Sequence, residues 1–160
     1  MIPYQAALFA WIPLAALIML DRNSARGFTI AMLAGLLLLP EAREFELPGV
    51  PDISKANVTI IGVLLGTILF HPGKFDRFRF TWSDLFIVCA VQCTIITAYW
   101  NYDLRTTLSD SFSFTLNFAA LVVLARIHLG TLSGVRTFLL GVVVASVVMA
   151  PLALWEWRMS

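Results

Sequence analysis

Residues 135–157 read VRTFLLGVVVASVVMAPLALWEW, uncharged throughout except for Arg136 and Glu156 near the two ends and otherwise apolar but for Thr137 and Ser146. A helix that crosses a bilayer needs about 20 predominantly apolar residues. The stretch therefore predicts a membrane-spanning helix. Reading back toward the N-terminus, the same criterion picks out residues 2–20, 24–40, 53–70, 85–100 and 112–128. Asp21-Arg22-Asn23 closes the first of these, and the apolar centre of the second is 27–39. Between the runs lie turn signals: Leu47-Pro48-Gly49-Val50-Pro51-Asp52, His71-Pro72-Gly73-Lys74 and Gly130-Thr131-Leu132-Ser133-Gly134. Gly and Pro cluster in this way at chain reversals. The expected fold is all-α, a polytopic transmembrane helix bundle of about six membrane-spanning helices. It forms a single transmembrane domain over residues 1–160, with no internal repeat or linker.

Composition supports the same class. Of 160 residues, 59% are hydrophobic and 13% charged, with a mean hydropathy of +0.85. Soluble domains carry about 25% charged residues, and half that complement cannot coat a globule of this size. A net charge of +1 with no basic stripe excludes a nucleic-acid binder. Two cysteines are too few for a disulfide scaffold. Runs such as Leu36-Leu37-Leu38-Leu39 lack the alternation of a membrane β-barrel strand. The first segment has neither the basic start nor the small-residue cleavage site of a signal peptide.

With six spans, the first, third and fifth loops carry Arg22, Arg26, Lys74, Arg77, Arg79, Arg126 and Arg136, seven cations. The other side carries four: Arg43, Lys55, Arg105 and Arg158. Were 24–40 a re-entrant half-helix, the split would be five against six. Only the six-span arrangement gives a basic side, which the positive-inside rule assigns to the cytoplasm. Both termini then face outward. The stretch Lys74-Phe75-Asp76-Arg77-Phe78-Arg79-Phe80-Thr81-Trp82 reads as an interfacial anchor, its cations and rings suited to the headgroup layer.

Inside the spans, small residues predict close helix packing. Gly62 and Gly66 form a GxxxG pair, and Ala31 with Gly35 and Gly141 with Ala145 repeat the spacing. The Gly62/Gly66 face serves either packing within the chain or a helix partner outside it. Gln92 is costly in lipid and should face another helix, with Asn117 as a plausible partner. Cys89 and Cys93 share a helix face without His or carboxylate neighbours, so no metal site is expected. No ionisable residue lies at the middle of a span, which argues against a proton pump, an ion-coupled transporter or a voltage sensor. His71 and His128 both fall at helix ends on the basic side and read as caps or interface residues.

The candidate site lies on the opposite side. Arg43, Asp103, Arg105, Asp110, Glu156 and Arg158 sit there beside Tyr99-Trp100-Asn101-Tyr102, Trp155 and Trp157. Arginine grips phosphate oxygens in bidentate fashion, and the carboxylates could position sugar hydroxyls. The plainer reading is topology-setting charge with an aromatic belt.

Leu36–Pro40, Leu47-Pro48-Gly49-Val50-Pro51-Asp52-Ile53-Ser54-Lys55 and the ending Pro151-Leu152-Ala153-Leu154-Trp155-Glu156-Trp157-Arg158-Met159-Ser160 resemble bacterial O-antigen ligase/polymerase-like membrane proteins. The resemblance implies an inner-membrane protein of surface polysaccharide assembly. Such proteins transfer glycans from an undecaprenyl-diphosphate carrier on the periplasmic face, without nucleotide sugar, metal or other cofactor. It further implies about twice as many helices, and a large periplasmic loop with essential Arg and His in the C-terminal half. No position of this chain matches that loop, so the chain looks like the N-terminal half and no catalytic residue carries over. Such proteins are drawn with a cytoplasmic N-terminus, against the charge count here, and both orientations stay open. Two other functions remain: a non-enzymatic membrane scaffold or accessory subunit, and half of a transporter lined by Gln92 and Asn117.

Overall fold

A computed structural model describes residues 4–39 and 54–159. It is a bundle of helices with no strand among the described residues. The helices are α1 (Tyr4–Ile18), α2 (Ser24–Leu38), α3 (Lys55–Phe70), α4 (Trp82–Asn101), α5 (Leu104–Phe114), α6 (Leu121–Leu129) and α7 (Leu132–Met159). A short 3-10 turn, Pro72–Arg77, leads toward α4, and a π turn, Thr115–Ala120, joins α5 to α6 in one continuous rod. Six rods thus stand where six spans are expected. They start later or earlier than hydropathy alone suggests: the fifth begins at Leu104, before the predicted 112, because the polar turn that follows the N-cap Asp103 is helical.

Three segments are long and apolar enough to cross a membrane: Asp84–Asn101, Thr106–Leu129 and Leu132–Trp155. The other three helices are apolar but shorter, at 15, 15 and 16 residues, which is roughly 22–24 Å of helix. The long α4 carries its own membrane ruler. It has 20 residues, about 30 Å, the thickness of a hydrocarbon core. Trp82 at one end and Trp100 at the other are 85% and 82% exposed. Indole rings at both ends of an apolar rod are what two headgroup interfaces select.

The core lies between α1, α2 and α3. Trp11, Ala15, Met19, Phe28, Ala31 and Val63 are buried there. The α1–α3 seam depends on the glycine pair. A Cβ on Gly62 would stand 2.8 Å from Ala15 Cβ, and one on Gly66 would stand 2.7 Å from Met19 Cβ and 2.9 Å from Ala16 Cα. Absent side chains let the backbones approach. The Gly62/Gly66 face therefore packs against α1 of the same chain. Gly35 likewise meets Trp11 and Thr59, and Gly141 meets Thr29 and Leu33, bringing α7 against α2.

One pairing differs from expectation. Gln92 is exposed on α4 and does not meet Asn117. Asn117 Nδ2 instead donates to Asn57 Oδ1 at 2.9 Å, and Asn57 Nδ2 donates to Ser113 Oγ at 3.0 Å. Asn57 is 1% exposed, and buried amides need partners. The π turn that contains Asn117 sits at this knot, consistent with the local departure from α geometry that polar contacts favour. Cys89 and Cys93 are free and exposed on α4.

Candidate functional site

Helices α2, α4 and α7 all begin at the end of the bundle where α1, α3 and α6 finish. Each start has a polar cap. Asn23 Oδ1 accepts from Arg26 N at 3.4 Å. Thr131 Oγ1 accepts from Gly134 N at 3.2 Å. Thr81 and Asp84 form a capping box, with Thr81 N donating to Asp84 Oδ2 at 2.6 Å. Helix N-termini leave N–H groups free and carry partial positive charge. Here these polar starts border one cavity.

The cavity has a volume of about 520 Å³. Its walls include Lys74 and Arg79 from the segment before α4, Arg126 and His128 from the end of α6, and the hydroxyls of Ser24, Thr81, Ser133 and Thr137. No carboxylate lines it among the described residues. Two acidic groups among the described residues touch the wall from outside: Asp21, whose Oδ1 accepts from Asn23 N at 3.0 Å, and Asp84, buried behind Arg126. Arg126 Nη1 donates to Asp84 Oδ1 at 2.5 Å and to Thr81 Oγ1 at 2.8 Å. This pair ties the last turn of α6 to the first turn of α4 and aims a half-exposed guanidinium along the wall. Lys74 Nζ donates to Ser24 Oγ, joining the third loop to the start of α2. The arrangement is a basic, hydroxyl-lined recess at helix N-termini, the chemistry that binds oxyanions.

The two histidines brace this end. His71 caps α3, its backbone N–H donating to Thr67 O at 2.9 Å. Its Nε2 donates to Met19 O, also at 2.9 Å, since a carbonyl only accepts. His128 is 3% exposed. Thr67 Oγ1 gives its proton to Val63 O at 2.7 Å, so in the 3.0 Å contact between Thr67 Oγ1 and His128 Nε2 the imidazole is the donor. Nδ1 of His128 is then the bare nitrogen, buried and without a hydrogen-bond partner among the described residues. Its ring stacks on Phe28 with centroids 5.3 Å apart, and His71 meets it edge-on at 6.3 Å. The sequence reading holds for His71, a true cap. It misses His128, which is a buried wall of the cavity and not an interface residue. It also reads Lys74, Arg79 and Thr81 only as an interfacial anchor. The available signal was positional: spans three and five end on the same side, so His71 and His128 had to share an end.

The residues proposed from sequence lie at the other end. Arg43 falls outside the described residues. Asp103 caps α5 through its carbonyl, which accepts from Thr107 N at 3.0 Å. Arg105 is in the first turn of α5 and Glu156 near the end of α7; their side chains lie outside the described set. Asp110 and Arg158 are exposed on α5 and α7. Among the described residues no ion pair joins Asp110 to Arg158, and α5 packs chiefly on α4 while α7 packs on α2 and α6. Among the described residues no group of three His, Cys, Asp or Glu side chains is placed to hold a metal.

Comparison with protein-family models, with curated proteins and with solved structures gives no match.

Proposed function

We propose that this chain is a membrane-embedded bundle that binds a phosphate-bearing ligand in the cavity formed by residues 23–25, 74–81, 126–134 and 137. The observation that carries the reading is the meeting of Lys74, Arg79 and Arg126 with the polar starts of three helices around one recess. Each charge-assisted hydrogen bond to phosphate contributes about 1.5–3 kcal/mol, and helix N-termini add to it. This end also holds the seven cations of the odd-numbered loops, so we place it on the cytoplasmic side of a bacterial inner membrane.

The resemblance to O-antigen ligase/polymerase-like proteins gives this chemistry one concrete form. A polyprenyl-diphosphate-linked glycan presents two phosphates at a membrane surface. That reading takes the orientation the resemblance implies, with a cytoplasmic N-terminus, which turns the recess at the far end of α1 to the periplasmic face; the chain then contributes to surface polysaccharide assembly by holding carrier phosphates, and no transfer step is assigned to its residues. The plain scaffold remains the competing reading, and ligand binding separates the two.

The test uses the purified chain in mild detergent with inorganic pyrophosphate as the probe. Thermal unfolding should shift upward with pyrophosphate for the parent and not for the double variant Lys74→Gln, Arg79→Gln. An equal shift in both, or none in the parent, would remove the site.

A further inference from the structure

A second cavity of about 540 Å³ runs between α2 and α7 and shares Thr137 with the basic recess. Below Thr137 its walls are hydrocarbon: Ile30, Leu33 and Leu37 from α2, and Leu140, Val144 and Val148 from α7. At its upper edge stand Arg26 and Thr29. Glycine at position 141 lets α7 close on Thr29 and Leu33, which gives the groove a floor. The rim is open to the surroundings, since Val144 and Val148 are each 61% exposed, and in a membrane those surroundings are lipid. The recess and the groove are therefore two parts of one continuous seam, polar and basic where α2 and α7 begin, apolar along their length.

The groove spans residues 26–38 of α2, roughly 18 Å of helix. One leaflet of hydrocarbon is about 15 Å deep, half of a 30 Å core. An acyl chain lying along it would end near the midplane while its headgroup reached Lys74, Arg79 and Arg126. Charge and length thus select the same kind of molecule. Resting on the phosphate-binding reading above, we infer that the resident ligand is an anionic phospholipid of the surrounding leaflet, one acyl chain in the α2–α7 groove and its phosphate in the basic recess.

The full chain would be reconstituted into bilayers containing equal amounts of phosphatidylglycerol and phosphatidylcholine. It would then be released into mild detergent and its retained lipid weighed by native mass spectrometry. Phosphatidylglycerol should be retained over phosphatidylcholine by about tenfold. Val144→Phe, on an exposed position of the groove wall, should abolish that retention while keeping the thermal shift with pyrophosphate, which also shows that the variant is folded. Lys74→Gln, Arg79→Gln should lose both. Retention unchanged in Val144→Phe, or no preference between the two lipids in the parent, would overturn the inference even where pyrophosphate binds; the cavity would then be a site for soluble phosphate. Absence of any pyrophosphate shift in the parent would instead defeat the phosphate-binding reading on which it rests.

Discussion

At one end of the bundle Lys74, Arg79 and Arg126 stand around a single recess, Lys74 tied to the start of α2 through Ser24 and Arg126 to the start of α4 through Thr81 and Asp84. At the other, Asp110 and Arg158 stand exposed on α5 and α7, and rings such as Tyr99, Trp100 and Trp155 face outward. Both ends offer cations and aromatic side chains. They differ in how the chain connects there. The first end is crossed by two short links, Met19–Asn23 and Gly130-Thr131, and by a 3-10 turn that packs on α3 and α6, whereas at the other end, among the described residues, Tyr102-Asp103 joins only α4 to α5. Short links hold helix termini close enough for side chains from different rods to share partners. A stretch of charged residues becomes a site when several elements aim at one volume, and the local density of arginine says little about that.

The comparison can be broken most severely at the seam beneath the basic end. Gly66→Leu would drive a side chain into Met19 and Ala16. Overpacking of this kind costs about 1–3 kcal/mol or more, and the helix ends that frame the recess would separate. The expected result is a large fall in melting temperature with pyrophosphate binding lost. A smaller effect with opposite signs on stability and binding follows from Asp84→Asn. It removes the carboxylate that holds Arg126 and one half of the capping box, a cost of about 1–2 kcal/mol. It also frees the Arg126 guanidinium from its negative neighbour, so pyrophosphate should bind about threefold more tightly, measured by titration calorimetry. Thr67→Val takes away the acceptor of the His128 Nε2–H group. The orphaned donor should cost about 1 kcal/mol in detergent unfolding and leave the opposite end untouched. Gly73→Ala marks the low end of the scale. A Cβ there meets nothing within 4 Å, so stability and binding should change by less than about 0.5 kcal/mol.

Much of the architecture was legible because hydrophobic runs and turn residues are local signals. The six rods and the small-residue seams follow from short stretches. Helix ends were less legible, as at Leu104, where a polar turn is helical because Asp103 starts it. The pairing inside the bundle was not. Gln92 and Asn117 are the conspicuous amides of their spans, yet the rotation of α4 leaves Gln92 outward and Asn57, one turn into α3, takes Asn117. The site was missed for the same reason. Ser24, Lys74 and Arg126 are about fifty residues apart in steps along the chain, no motif joins them, and their convergence depends on how the rods pack. Alternation of loop sides placed them at one end, but only the packing of α2, α6 and α7 made a recess of that end.

The most direct test of the central claim is a matched pair of titrations. Pyrophosphate binding to the full chain would be measured for Lys74→Gln, Arg79→Gln at the basic end and for Arg105→Gln, Arg158→Gln at the other, each removing two positive charges. Loss of about tenfold or more in affinity in the first, with the second within about twofold of the parent, is the predicted result. Equal losses in both would mean that net charge and not the recess holds the anion, and a loss confined to the second would move the site to the opposite end.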